Sequence, residues 1–122
     1  MNHRGNDGAN AGLAYSGISA EIRQRAANVR LLVCDVDGVL TDGKIHFHIA
    51  NAGDPVCEGK SFSILDGFGI KLLQETGVTV ALITGRRSDI VAQRAKEMNV
   101  SHVVQGAEDK SRAWTGLLGE LK

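Results

Sequence analysis

The period of the apolar positions changes several times along the chain, and each change predicts an element. Residues 29–33 form a nearly uninterrupted apolar run, and residues 78–83, VTVALI, repeat that signature. Continuous rather than alternating apolar character suits parallel strands covered on both faces. Between them, residues 44–47 and 56–64 read as the arms of a hairpin around the turn-rich stretch 51–55, a flap over the strand ends. Residues 66–75 carry Phe68, Ile70, Leu72 and Leu73 at helical spacing, with Gly77 as the stop. Ser88 is placed to cap a second helix running to Met98, residues 100–104 supply a third strand, and residues 110–121 form a third helix. The inward stripe of that last helix is expected to be Ala113, Trp114, Leu117, Leu118 and Leu121. Upstream, Ser19 is placed to cap a short helix through Ala27, with Ile22 and Ala26 on one face and Glu21 in its first turn.

The repeated order of strand and helix predicts an α/β fold. Right-handed crossovers make it a Rossmann-like three-layer sandwich with a parallel sheet and a small β-hairpin flap. Ligands of such folds sit beyond the carboxyl ends of the strands. Residues 1–17, rich in glycine, asparagine and small side chains, have the composition of a flexible arm, which leaves 18–122 as one domain.

A chain of 122 residues with 43% hydrophobic residues is long enough for one modest core. Fourteen basic side chains balance fourteen acidic ones, so net charge gives no reason to expect nucleic acid or an anionic membrane as partner. No apolar run approaches the roughly 20 residues needed to span a bilayer, and the first thirty residues lack the apolar centre of a secretory signal. The expected setting is the cytoplasm. Cys34 and Cys57 fit no metal or redox spacing.

The chemistry concentrates in residues 31–43, LLVCDVDGVLTDG. Side chains alternate in extended chain, so Asp35 and Asp37 project to one side where the first strand ends. The repulsion of two converging carboxylates raises a pKa or demands a cation, and a hard, oxygen-seeking Mg²⁺ shared with a substrate phosphate resolves it. Thr84, at the end of the second strand and beside Gly85, offers a hydroxyl to a phosphoryl oxygen. Lys110 opens the last helix, where the positive dipole end disfavours a lysine unless another interaction holds it there.

These features in this order resemble the signatures of the haloacid dehalogenase superfamily, capless branch. The resemblance implies that Asp35 is the nucleophile and a metal ligand. It also implies that Asp37 is the general acid and base and lends its backbone carbonyl to Mg²⁺, while Thr84 and Lys110 hold the phosphoryl group. The stretches LLVCDVDGVLTDGKI, KSFSILDGFGIKLL and GVTVALITGRRSDIVAQRAKEMNVSHVVQGAEDK look like the family of 3-deoxy-D-manno-octulosonate 8-phosphate phosphatases. That family uses a short hairpin in place of a cap and assembles as a homotetramer. Carried over by motif, substrate contacts are expected at Ser63, Ile64, Leu65, Asp66, Gly67, Lys71, Arg86 and Arg94, besides Asp37 and Lys110. Guanidinium forks at Arg86 and Arg94 suit a carboxylated sugar phosphate.

The chain departs from the family in three places. Leu65 stands where the family has a basic residue, the flap stretch HIANAGDPVCEGK is longer, and the acidic cluster of the superfamily's fourth signature is not visible before Lys122. From the last point the sequence predicts poor hydrolysis, or none, by the chain as written, and a first strand with one exposed edge. The alternatives it leaves open are another capless sugar-phosphate phosphatase and a non-catalytic, phosphatase-like assembly module.

Overall fold

The computed structural model describes residues 17–121, so the arm expected over residues 1–17 lies outside the described residues except for Gly17. The elements follow the order α1 (Ala20–Ala27), β1 (Leu31–Cys34), β2 (His46–His48), β3 (Cys57–Gly59), α2 (Ile64–Glu75), β4 (Thr79–Thr84), α3 (Asp89–Glu97), β5 (His102–Gln105) and α4 (Lys110–Glu120). Strands β1, β4 and β5 form a parallel sheet in the order β1-β4-β5, and β2 and β3 pair antiparallel as a separate hairpin.

Strand β4 sits at the centre because its side chains can be covered on both faces. Val80 and Leu82 point into a core with Val36, Leu40, Ile70, Val91, Ala95, Met98 and Val100, while Ala81 and Ile83 point the other way, onto Ala107 and Leu117. The period of two in β4 thus separates one core packed by α2 and α3 from one packed by α4, which makes three layers. Asn99, the one non-glycine residue with positive φ among the described residues, ends α3 and turns the chain into β5.

Helix starts follow short-range chemistry. The Ser19 and Ser63 hydroxyls accept from the amides of Ile22 and Asp66, as capping residues do. Ser88 occupies the cap of α3 without a side-chain bond; its own amide donates instead to Gln105 Oε1 at 2.7 Å.

The structure corrects several details of the apolar pattern. Strand β1 begins two residues later than the apolar run, because Val29 still closes α1 through a bond to the Ala26 carbonyl. It is not covered on both faces either, for Leu32 is 36% exposed, and with β4 as its one partner among the described residues it also has an open edge. Ile22 lies outside the core, and in α4 Trp114 and Leu118 stay substantially exposed, leaving Leu117 as the buried member of the stripe. The hairpin arms are shorter than expected, and α2 begins at Ile64 because Ser63 caps it there.

Candidate active site

The last turns of three consecutive units converge at the carboxyl end of the sheet. Asp35 follows β1, Thr84 ends β4, and Lys110 opens α4 after β5. Between the two acids Val36 is fully buried, so alternation leaves Asp35 and Asp37 facing outward as the sequence predicts. The loop is then folded by one hydroxyl. Buried Thr41 accepts from the amides of Gly38 (3.1 Å) and Gly43 (3.2 Å) and donates to the Val36 carbonyl, which also accepts three backbone amides. Gly38 and Gly43 have φ of 83° and 77°, values that side chains rarely adopt.

Asp35 is held on both oxygens: Oδ1 accepts the Val36 amide at 2.7 Å and Oδ2 accepts Lys110 Nζ at 2.6 Å. Partial burial pushes its carboxyl up, but Lys110, the Val36 amide and the Thr84 hydroxyl outweigh that effect and hold it below the ordinary aspartate value. An ionised carboxylate with a fixed orientation is what a nucleophile at this position requires. Asp109 caps α4 by accepting the Arg112 amide at 3.0 Å, and its charge at the helix start offsets the cost of a lysine beside it.

Asp37 has a partner the sequence reading missed. Lys60 Nζ donates to Asp37 Oδ1, and the same ammonium lies 3.3 Å from Glu58 Oε1. Glu58 Oε2 in turn pairs with Arg86 at 3.5 Å. A chain of alternating charge therefore runs from Asp37 through Lys60 and Glu58 to Arg86. The signal available in the sequence was the pair Glu58 and Lys60 flanking Gly59 in the second arm of the flap, two charges on one face of a short strand.

The expected substrate contacts divide. Arg86, Asp37 and Lys110 join the centre just described. Ser63, Ile64, Gly67, Lys71 and Arg94 belong instead to the start of α2 and the face of α3, beside a cavity of about 320 Å³ lined by Ile64, Gly67, Phe68, Lys71, Arg94, Glu97 and Met98. Arg94 is already engaged there. It donates to the Ser63 carbonyl at 2.9 Å, pairs with Glu97 at 3.2 Å and lies over the Phe62 ring, so this fork clamps the flap exit to α3. Asp66 faces Cys34 closely enough to add to the burial that raises that thiol. Ile64 and Leu65 are 83% and 79% exposed.

Two outward carboxylates suit a hard divalent cation, since Mg²⁺ is commonly held by one or two carboxylates together with water and substrate phosphate. The donors that fit are Asp35 and the neighbourhood of Asp37; among the described residues no group of three or more His, Cys, Asp or Glu side chains is arranged to hold a metal. Among the described residues, too, no helix is long and apolar enough to cross a membrane.

No family model matches the chain. It is similar to the 3-deoxy-D-manno-octulosonate 8-phosphate phosphatase of Yersinia pestis, with 43% identity over 108 residues, 88% of this chain and 55% of that protein. A crystal structure of the Moraxella catarrhalis phosphatase of that name, in complex with magnesium, phosphate and a KDO molecule, superposes with a TM-score of 0.71 at 44% identity, covering 83% of this chain and 55% of the other. A hydrolase of the haloacid dehalogenase superfamily, subfamily III A, from Legionella pneumophila gives a TM-score of 0.72 at 40% identity over 83% of this chain and 53% of the other. The chain spans about half the length of the curated relatives it matches.

Proposed function

Because the chain is a homologue of the 3-deoxy-D-manno-octulosonate 8-phosphate phosphatases over the part it spans, with the haloacid dehalogenase fold there, we propose that it works as a phosphomonoesterase. Its substrate on this reading is 3-deoxy-D-manno-octulosonate 8-phosphate, and its setting is lipopolysaccharide precursor synthesis in the cytoplasm. The observation that carries the reading is the carboxylate of Asp35, fixed between the Val36 amide and Lys110 with Thr84 beside it.

Asp35 attacks phosphorus, the bond from phosphorus to the ester oxygen breaks, and Asp37 gives its proton to the departing alkoxide. Asp37 then takes a proton from water, whose oxygen attacks the aspartyl phosphate and restores Asp35. Splitting the displacement in two lets one residue serve as acid and then as base. Lys110 and the Thr84 hydroxyl are placed to receive the charge on the phosphoryl oxygens. Asp35 and the backbone carbonyl of Asp37 would hold Mg²⁺, which when bound supplies charge neutralisation at the phosphoryl group.

Lys110 already neutralises the Asp35 carboxylate, so a metal ion must compete with it, and slow turnover is expected. The test is phosphate release from 3-deoxy-D-manno-octulosonate 8-phosphate over a range of Mg²⁺, with and without chelator. The expected result is slow, Mg²⁺-dependent release that disappears in Asp35→Asn. Release unaffected by Asp35→Asn, or none at any Mg²⁺ concentration, contradicts the reading.

We also propose a homotetramer. Phe47, Ile49, Val56, Ile64, Leu65 and Phe68 leave large apolar surface exposed on the flap and the start of α2, which supports association of copies.

A further inference from the structure

We propose that Lys60 is a positioning residue for Asp37 and the latch that ties the flap to the reaction centre; this deepens, and rests on, the phosphomonoesterase reading. The argument begins with burial. The Lys60 side chain is 0% exposed, and a buried ammonium persists only where opposite charge meets it. Asp37 and Glu58 both supply that charge. Glu58 Oε1 is itself buried with no hydrogen bond of good geometry, so the charge of Lys60 at 3.3 Å is the compensation it has.

The pleat of β3 delivers this arrangement. Glu58 and Lys60 are two residues apart and lie on one face of the arm, whereas Gly59 turns to the other. There a Cβ would meet His46 Cβ and His48 Nε2 at 3.3 Å, so a side chain would have to push the stacked histidines back by a few tenths of an ångström, and glycine lets them close over that face without it. The flap thus cannot lift without drawing Lys60 away from Asp37 or carrying it into solvent with its partner lost.

The consequence for chemistry is specific. An Asp37 carboxyl group with one oxygen on Lys60 keeps a single orientation, leaving its other oxygen, the one that carries the proton in the acid form, to meet the leaving group. Through Glu58 the same ammonium also aligns Arg86, so flap closure, acid placement and one expected substrate contact are coupled.

The experiment compares the wild-type chain with Lys60→Met, Lys60→Arg and Asp37→Asn. Hydrolysis of 3-deoxy-D-manno-octulosonate 8-phosphate, whose alkoxide needs a proton, is measured beside that of p-nitrophenyl phosphate, whose phenolate does not. Lys60→Met is expected to lose at least about tenfold more kcat on the alkyl ester than on the aryl ester, with KM little changed, and Lys60→Arg to recover part of it. Equal losses on both esters overturn the positioning role. Amide hydrogen exchange of residues 46–48 and 57–59 is read in parallel and needs no turnover. It is expected to quicken about tenfold in both Lys60→Met and the near-isosteric Asp37→Asn, as it does when a local opening is released. Unchanged exchange in both overturns the latch. If the wild-type chain hydrolyses neither ester, the phosphatase reading falls and the exchange measurement still decides whether Lys60 pins the flap.

Discussion

Asp35 shows how a few hydrogen bonds turn a common side chain into a candidate nucleophile. Its burial alone would favour the protonated acid, yet Lys110, one backbone amide and the Thr84 hydroxyl reverse the balance. Those three groups lie at or just beyond the carboxyl ends of three different strands, so the residue depends on the whole sheet for its state. Thr41 has the opposite character: its work is local, closing the loop that follows the two acids by satisfying two amides and one carbonyl. Arg94 carries contacts that the motif did not show. Besides lining the cavity, its guanidinium engages the Ser63 carbonyl, Glu97 and the Phe62 ring, and two of these lie about thirty positions away in the chain.

At the scale of elements, α2 joins the flap to the sheet, and its glycines separate two roles. A Cβ on Gly69 would meet nothing within 4 Å, so Gly69→Ala should stabilise the helix by about 0.5–1 kcal/mol, the ordinary cost of glycine in a helix interior. A Cβ on Gly67 would overlap the Arg94 guanidinium, so Gly67→Ala should forfeit that gain by displacing the clamp. Urea unfolding of the two variants checks this: the midpoint should rise for Gly69→Ala and stay level or fall for Gly67→Ala. Equal rises would mean that the clamp contributes nothing. The three parallel strands, the flap and the helices after them were legible in the sequence because apolar runs, serine caps and glycine stops are local signals. Asp35, Asp37, Thr84 and Lys110 were legible for a related reason, since each stands at the end or start of an element. The tie from Lys60 to Asp37 was not, because it joins residues 23 positions apart through a strand too short to show its own periodicity. Nor could periodicity tell that Trp114 and Leu118 stay exposed, since that depends on how much of α4 the sheet is wide enough to cover.

For the molecule as a whole, the sheet has open edges at β1 and at β5 among the described residues, and apolar side chains crowd the surface of the flap and α2. Unpaired strand edges and large apolar patches both favour association. Sedimentation velocity should therefore show the chain as an oligomer, four copies on the proposed reading, whose dissociation is promoted by Phe68→Lys. A monomer at all concentrations would contradict that proposal and would leave the apolar surface without an account. The central claim is chemical, however, and it concerns one atom group. Rapid acid quenching of the chain with Mg²⁺ and 3-deoxy-D-manno-octulosonate 8-phosphate, followed by borohydride reduction and peptide mass analysis, reports where a phosphoryl group was carried. The account predicts homoserine, the alcohol left when hydride displaces phosphate from an aspartyl phosphate, at position 35 in the peptide containing LLVCDVDGVLTDG, absent in Asp35→Asn. A phosphoryl group trapped on another residue, or phosphate released with no covalent trace at Asp35, would contradict it.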